Sequence, residues 1–202
     1  FAPELRKALE QLGNKNLMKI FAFDNKAITD DVGESTIEEL VNAAFIMSKP
    51  KTGALIVIER KDSLVNIEKT GILINGIVSS QLLINIFEHN TPLHDGAVLI
   101  RGNTIVSATC YLPLSENMRI SKDLGTRHRA AIGISEVSDS ITIVVSEETG
   151  RVSVALGGNL IKVNDSEELR KELSVLLEDT AEEKKSSLWS KLLKGRGNDK
   201  DK

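Results

Sequence analysis

Two short segments of this chain hold residues whose types and spacing could carry out chemistry. The first is His94-Asp95-Gly96-Ala97, in which an imidazole and a carboxylate precede two residues with almost no side chain. Such a segment lets a ligand approach the backbone closely beside an acid and a possible metal ligand. Taken alone, it is more typical of a turn that leads into a strand, where Asp95 bonds to local amides.

The second segment runs from Gly125 to Arg129. Gly125 and Thr126 can begin a helix whose free amides bind phosphate oxygens. Arg127 and Arg129 can hold phosphate bidentately, which lysine cannot, and His128 could donate a further hydrogen bond to a leaving phosphate. By itself, this segment is more typical of the solvated, basic start of a helix.

The combination of the two segments favours phosphoryl or nucleotidyl transfer. One segment supplies an acid and a possible metal ligand, and the other supplies three potential cations in a phosphate-binding loop. Positioning and charge neutralisation dominate that chemistry. The chain contains neither Gly-x-x-x-x-Gly-Lys-Ser/Thr nor Gly-x-Gly-x-x-Gly, so neither a P-loop nor a dinucleotide-binding fold is indicated.

The order and spacing of the segments resemble the diadenylate cyclase domain. The resemblance lies in Asn90–Ala97, followed about thirty residues later by Gly125–Ala131, and it extends from Gly53 through Gly158. The opening Phe1–Arg6 further resembles the membrane-anchored, CdaA-type members, in which it follows three transmembrane helices. The resemblance therefore implies a full-length protein at the cytoplasmic face of the bacterial cell membrane, with this chain as its soluble cytoplasmic domain.

The family condenses two ATP into cyclic di-AMP and two pyrophosphates, and the resemblance implies roles for particular residues. Asp95 would bind and help to activate the ribose 3′-hydroxyl, and His94 would ligate a divalent metal ion (manganese, magnesium or cobalt) on the phosphates. The residues with implied catalytic roles are Asp95, Arg127, His128 and Arg129. Those with implied substrate contacts are Gly96, Ala97, Tyr111, Leu112, Gly125, Thr126, Ser146 and Glu148.

Within that set, the contacts are expected to divide by part of the nucleotide. Tyr111 and Leu112 would flank the adenine, whereas the Thr126–Arg129 segment would hold the triphosphate and the leaving pyrophosphate. Ser146 and Glu148 would contact phosphate or metal. Without the resemblance, Tyr111 would be interpreted as an edge core residue and Glu148 as an ordinary turn carboxylate.

The reaction also predicts partners. Each site holds one ATP and two bonds must form, so two domains are expected to face each other across a twofold axis as a homodimer. The resemblance further suggests a membrane regulator with YbbR domains and phosphoglucosamine mutase. The net charge of −3 argues against nucleic acid as a partner.

Two rival functions use the same residues. A non-catalytic sensor would bind ATP or cyclic di-AMP in the same pocket without turnover. A metal-dependent phosphohydrolase would employ His94, Asp95 and His128, although a dinuclear site normally needs more Asp and His ligands.

The elements that must position the two segments follow from periodicity and turn residues. Helices are predicted where apolar residues repeat every three to four positions, with a capping box at Ser35 and Glu38 in the second helix and Asp165 capping the last. The predicted helices are Pro3–Leu12, one beginning at Ser35 and ending before Pro50, Ser79–Phe87, Thr126–Ile134 and Ser166–Glu178. The predicted strands are Gly53–Glu59, buried on both faces, and the hairpins Ala97–Arg101 with Thr104–Leu112 and Ser140–Ser146 with Arg151–Leu156.

Two hairpins among helices predict an α/β domain with a central mixed β-sheet flanked by helices, the diadenylate cyclase fold. We expect an N-terminal helix and lead-in segment over 1–33, the catalytic domain over 34–180, and a basic, flexible tail over 181–202. The tail carries seven Lys or Arg from Lys184 onward against two Asp, and Trp189 within it could anchor an amphipathic helix or be part of an ordinary frayed one. The single cysteine, Cys110, is expected to be a buried structural thiol rather than a nucleophile.

Overall fold

The computed structural model describes residues 32–117 and 124–177. The predicted first helix, Pro3–Leu12, and the basic tail lie outside the described residues. Within the described ranges, no helix has the length and hydropathy needed to span a lipid bilayer.

A mixed β-sheet organises the described residues, as predicted. The strands are β1 (Ala54–Ile58), β2 (Ile72–Ile77), β3 (Ala97–Arg101), β4 (Thr104–Cys110), β5 (Ile141–Val145), β6 (Val152–Leu156) and β7 (Asn159–Val163). Their order in the sheet is β2-β4-β3-β1-β5-β6-β7. Strand β1 pairs in parallel with β3, and every other neighbouring pair is antiparallel.

The central strand β1 is buried along its whole length. Its alternate residues belong to two apolar clusters on opposite faces of the sheet: Ile56 lies in the larger cluster and Leu55 in the smaller. Because both faces are covered, the strand has the continuous apolar run from which it was predicted.

Helices cover both faces of this sheet. They are α1 (Glu34–Ser48), the single-turn α2 (Val65–Glu68), α3 (Ser80–Phe87), α4 (Thr126–Val137) and α5 over residues 166–177. The smaller cluster includes Ala130, Ala131 and Ile134 of α4. Helices α1, α3 and α5 contribute Leu40, Leu83 and Leu169 to the larger cluster, so α4 lies on the opposite face from these three helices.

The capping box predicted for α1 is wrong. The helix begins one residue before Ser35, with Gly33 as its N-cap and no capping side chain. Asn103, in the turn between β3 and β4, takes over that role: its Oδ1 accepts hydrogen bonds from the Gly33 amide at 2.9 Å and the Thr36 hydroxyl at 2.7 Å. A tertiary contact has therefore replaced the local one.

The Asp165 cap predicted for α5 is confirmed, and α3 has a capping side chain that was not predicted. The Ser79 hydroxyl accepts a hydrogen bond from the Leu82 amide at 3.3 Å at the start of α3. Asp165 Oδ1 accepts one from the Glu168 amide at 2.9 Å at the start of α5. Both side chains satisfy amides that have no partner inside their helix.

Two strands and one helix were not predicted. Strand β2 is an exposed edge strand, interrupted by a bulge in which Asn75 has φ of 50°, so its sequence lacks a clean alternation. Strand β7 follows β6 through Gly157 and Gly158, which both have positive φ, a hairpin signal that the sequence did contain. Helix α2 is a single turn and too short to show a periodicity.

Candidate active site

Four strand ends meet at one edge of the sheet. Strands β1 and β3 run parallel to each other, and β4 and β5 run antiparallel to them. The first residues of β1 and β3 therefore lie beside the last residues of β4 and β5. The register pairs Ala54 with Val145 and Ala97 with Cys110. The sequence just before β3 and just after β4 and β5 is therefore brought together.

A cavity of about 290 Å³ opens at this edge and is lined by residues from both predicted segments. This volume is at the lower end of the range typical of small-molecule sites. The lining residues are Leu55, Asp95, Gly96, Cys110, Tyr111, Leu112, Leu114, Thr126, Arg127 and Ala130. Segments thirty residues apart in the chain thus form one pocket that is apolar on one side and charged on the other.

Gly96 is required by the backbone at the cavity wall. Its φ is +101°, and a Cβ there would lie 2.8 Å from the carbonyl carbon of Thr109. Any side chain would therefore be both conformationally strained and in collision with β4. The close approach of these two backbones lets Asp95 lie directly beside the end of β4.

A second, much smaller cavity of about 10 Å³ lies at the start of α4. The two cavities share Thr126 and Arg127 in their walls. The smaller one is lined by Gly125, Thr126, Arg127, His128, Val145, Ser146, Glu147 and Glu148. Among the described residues no side chain caps the first turn of α4, and uncapped amides of this kind can bind a phosphate.

Arg127 lines both cavities. Its guanidinium forms an ion pair with Glu147, from the turn after β5. Its Nε is buried and has no hydrogen-bond partner within the described part of the chain. A buried donor without a partner is costly, and an anionic ligand in either cavity could supply the missing acceptor.

His128 is buried, with 7% of its surface exposed. Burial lowers the pKa of His128 because the charged imidazolium loses its hydration, and the nearby carboxylates of Glu148 and Glu147 oppose that effect only in part. The side chain is therefore biased toward the neutral form until a strong anion arrives.

The His94 ring is held in place by the backbone. Its Nδ1 lies 2.6 Å from the carbonyl oxygen of Thr91, which can only accept a hydrogen bond. This contact fixes the orientation of the ring through Nδ1, as the backbone does for many metal-bound histidines. No group of three or more His, Cys, Asp or Glu side chains suited to a metal occurs in the described ranges. A metal ion at His94 would therefore need further ligands from another molecule.

Three of the residues expected at the site line neither cavity: His94, Ala97 and Arg129. Ala97 is completely buried and pairs with Cys110 beneath the cavity, so it can support the site without touching its opening. The carbonyl of Arg129 accepts a hydrogen bond from the Ser115 amide at 3.0 Å, which ties α4 to the chain after β4.

The structure adds residues that sequence reasoning missed. Leu55 and Leu114 complete the apolar wall of the larger cavity, and Glu147 pairs with Arg127. Gly53 leaves space for the Arg127 guanidinium, since a Cβ there would lie 3.0 Å from Arg127 Cζ. A glycine directly before a buried strand, such as Gly53, is a sequence signal that another group packs closely against the backbone. The sequence contained no comparable signal for Leu55, Leu114 or Glu147.

Cys110 behaves as a structural thiol, as predicted. It is 1% exposed, and burial raises the pKa of its thiol. Its Sγ lies 2.9 Å from the Ser107 hydroxyl. A buried thiol with a raised pKa has little thiolate at neutral pH and is a poor nucleophile.

The mixed sheet, the apolar pocket at the strand ends and the uncapped start of α4 together are typical of a nucleotide-binding α/β domain. A family model described as "DAC: DisA bacterial checkpoint controller nucleotide-binding" matches residues 41–160. The chain belongs to this DAC family, which confirms the resemblance seen in its two segments.

Curated relatives carry names of the same kind. The chain is 49% identical over 189 residues to the cyclic di-AMP synthase CdaA of Bacillus subtilis, covering 94% of this chain and 68% of that protein. It is also 49% identical over 198 residues to a diadenylate cyclase of Listeria monocytogenes, covering 97% of this chain and 70% of the relative.

Solved structures share the fold. A crystal structure of a double mutant of DacA from Staphylococcus aureus matches with a TM-score of 0.70 and 46% identity, over 71% of this chain and 96% of that one. A hypothetical membrane spanning protein from Bacillus cereus matches with a TM-score of 0.64 and 38% identity, over 79% and 85% of the two chains. The predicted diadenylate cyclase fold is thereby confirmed.

Proposed function

We infer that this chain is a diadenylate cyclase, which joins two ATP molecules into cyclic di-AMP and releases two pyrophosphates. The observation that carries this inference is the convergence of Asp95-Gly96 and Thr126-Arg127 on one cavity at the sheet edge. Family membership and the names of relatives 49% identical over nearly the whole chain support the same activity.

The two neighbouring cavities suggest how one ATP would lie. The apolar wall with Tyr111 and Leu112 suits the adenine, and Gly96 lets the nucleotide lie against the backbone. Arg127 suits the triphosphate, with its buried Nε in need of an acceptor. The free amides at the start of α4, together with Ser146, would receive the terminal phosphates in the smaller cavity.

Asp95 would accept a hydrogen bond from the ribose 3′-hydroxyl and hold it for in-line attack. The 3′-oxygen of each ATP would bond to the α-phosphorus of the other as the bond to the pyrophosphate breaks, and the hydroxyl proton would pass to the Asp95 carboxylate and from there to solvent. Arg127 and Arg129 would offset the negative charge on the leaving group, and His128 would donate a hydrogen bond to it.

A divalent metal ion, bound by His94 Nε2 and phosphate oxygens, would supply charge neutralisation at the triphosphate when present. Glu148 borders the phosphate cavity and could add a carboxylate to that ligand set. Manganese, magnesium and cobalt are the candidates.

We place catalysis in a homodimer. One cavity accommodates one nucleotide, and its rim is open: Tyr111 is 73% exposed and Leu114 is 53% exposed. A second copy related by a twofold axis would bring a second ATP opposite the first and cover these apolar side chains. In the cell, the domain would work at the cytoplasmic face of the membrane, with a YbbR-domain regulator and phosphoglucosamine mutase as candidate partners and no role for nucleic acid.

The activity is tested by incubating the chain with ATP and each metal ion and detecting cyclic di-AMP by mass spectrometry. Asp95→Asn should abolish the product while ATP binding persists. Asp165→Asn is the matched control, because asparagine also caps helices and this position lies at the start of α5. ATP binding without product in the wild-type chain, at all metals and protein concentrations, would favour a nucleotide sensor instead.

The dimer is tested separately by varying the protein concentration. Specific activity should rise with concentration, in parallel with the dimer fraction measured by analytical ultracentrifugation. Activity that stays constant over a range in which the dimer dissociates would contradict the two-domain site.

A further inference from the structure

Thr109 has a backbone conformation that its side chain disfavours. Its φ is 55°, in the left-handed region. Four residues other than glycine have positive φ within the described ranges, and Thr109 is the β-branched member of the set Lys51, Asn75, Asn90 and Thr109. A β-branched residue rarely adopts this conformation, and such strain is concentrated at functional sites.

This conformation produces a β-bulge directly beside the cavity. On β3, Ala97 and Leu99 are two residues apart, but their partners on β4, Cys110 and Ser107, are three apart. One extra residue is therefore inserted into β4 between these pairs. A bulge of this kind reverses the face on which every later side chain of the strand lies.

The burial of the neighbouring side chains shows that the strand changes face. Ala108 belongs to the larger apolar cluster, whereas Cys110 belongs to the smaller cluster on the opposite face of the sheet. In a regular strand these two side chains would share one face. The change of face at Thr109 places Cys110 on the side of the sheet that carries the smaller cluster, and Cys110 lines the larger cavity there.

Two contacts hold Thr109 in place. Its hydroxyl donates a hydrogen bond to the carbonyl oxygen of Ala108 at 2.6 Å, a local bond that favours the turned backbone. Its Cα would lie 3.0 Å from a Cβ on Gly96, so the bulge is packed against the glycine beside Asp95. The adenine side of the cavity and the Asp95 side are thus joined at this residue.

We propose that Thr109 is a positioning residue that sets the orientation of Cys110, Tyr111 and Leu112 as the adenine-binding wall. The proposal rests on the proposed function for its consequence in catalysis, but its structural content does not depend on ATP. The role belongs to the backbone of Thr109, and its hydroxyl contributes by stabilising that backbone.

Two substitutions separate this role from ordinary packing. Thr109→Val keeps the shape of the side chain but removes the hydroxyl, and valine strongly favours extended backbone. Thr109→Gly removes the side chain, but glycine adopts positive φ freely. If the backbone conformation matters, the affinity for ATP should fall about tenfold or more in Thr109→Val and stay within about threefold of wild type in Thr109→Gly.

Thr104 provides the matched control on the same strand. It has no positive φ and pairs regularly with Arg101, so valine should be tolerated there and glycine should be the more harmful change. ATP affinity is measured by calorimetry, and KM and kcat are measured separately. We expect Thr109→Val to raise KM more than it lowers kcat, because adenine binding is affected more directly than the reacting groups.

Cys110, the chain's only cysteine, provides a readout that needs no nucleotide. Reaction of the native protein with a thiol reagent should be faster in Thr109→Val than in wild type or Thr109→Gly, since loss of the bulge would move the buried thiol. Equal thiol reactivity in all three proteins, or glycine more harmful than valine at position 109, would overturn the proposal. If wild-type protein fails to bind ATP, the proposed function fails, and the thiol measurement still decides whether Thr109 orients this wall.

Discussion

Arg127 and Glu147 form an ion pair in the wall of the smaller cavity. The pair joins the first turn of α4 to the turn after β5. Glu147 is therefore bonded to the guanidinium that a triphosphate would need. Glu147 is 53% exposed, so the pair is partly screened by water. The carboxylate therefore competes weakly with an incoming nucleotide for Arg127.

Glu147→Gln should tighten ATP binding by up to about fivefold, because an exposed ion pair of up to about 1 kcal/mol no longer has to be broken. Titration calorimetry with ATP measures the change. Glu167→Gln, which removes an exposed partner of Arg170 on α5, should leave ATP affinity unchanged. Weaker binding in Glu147→Gln would show that this carboxylate assists the nucleotide, for example through a metal ion.

Gly53→Ala should weaken ATP binding by about tenfold. The added Cβ would lie 3.0 Å from both Arg127 Cζ and Glu147 Cβ, so the guanidinium must move. Misplacing one charge-assisted hydrogen bond costs about 1.5 kcal/mol, which corresponds to that factor.

Gly76→Ala is the control for crowding itself. Its Cβ would lie 3.1 Å from a methyl group of Leu82, and the position lines neither cavity. ATP affinity should be unchanged in this variant. An equal loss in both variants would mean that general strain, rather than the Arg127 position, controls binding.

Gly133→Ala should destabilise the domain despite its position inside α4. Alanine improves helix propensity by about 1 kcal/mol, but its Cβ would collide with the backbone carbonyl of Pro113. Overpacking against backbone costs about 1–3 kcal/mol or more, so the clash should outweigh the gain. Urea unfolding should show a lower midpoint. A raised midpoint would contradict the close packing of α4 on the segment after β4.

The lowered pKa of His128 predicts a pH dependence of stability. Burial makes the folded protein bind the proton less readily than the unfolded chain, whose histidine has a pKa of about 6.5. The contribution of His128 to the free energy of unfolding is therefore fully present above about pH 6.5, and it is lost as the pH falls through the pKa of the folded state. Unfolding free energies measured from about pH 8 to about pH 5 should fall on the acid side.

His128→Gln should reduce that slope, and His89→Gln, at an exposed position, should leave it unchanged. A bound triphosphate should favour the imidazolium, so ATP binding below neutral pH should take up protons. Calorimetry in buffers of different ionisation enthalpy measures that uptake. Proton release on binding would show that the phosphates do not approach His128.

Much of the fold was predictable because its signals are local. The apolar run of β1, the hairpin turn at Gly102-Asn103 and the cap at Asp165 each depend on residues close together in the chain. The α1 cap was predicted wrongly because Asn103, distant in sequence, supplies the acceptor. Edge strand β2 was missed because its exposed, bulged backbone carries no regular alternation.

The candidate site divides in the same way. Its kind of chemistry could be read from the chain directly, because Asp95, Gly96 and the Gly125–Arg129 segment are functional groups in a recognisable order. The folded structure was needed to show that Glu147 pairs with Arg127 and that Gly53 makes room for it. It was needed equally to show that Thr109 turns the end of β4 toward the cavity. These relationships depend on strand register and on which strand ends meet, and a one-residue change in register would reverse them.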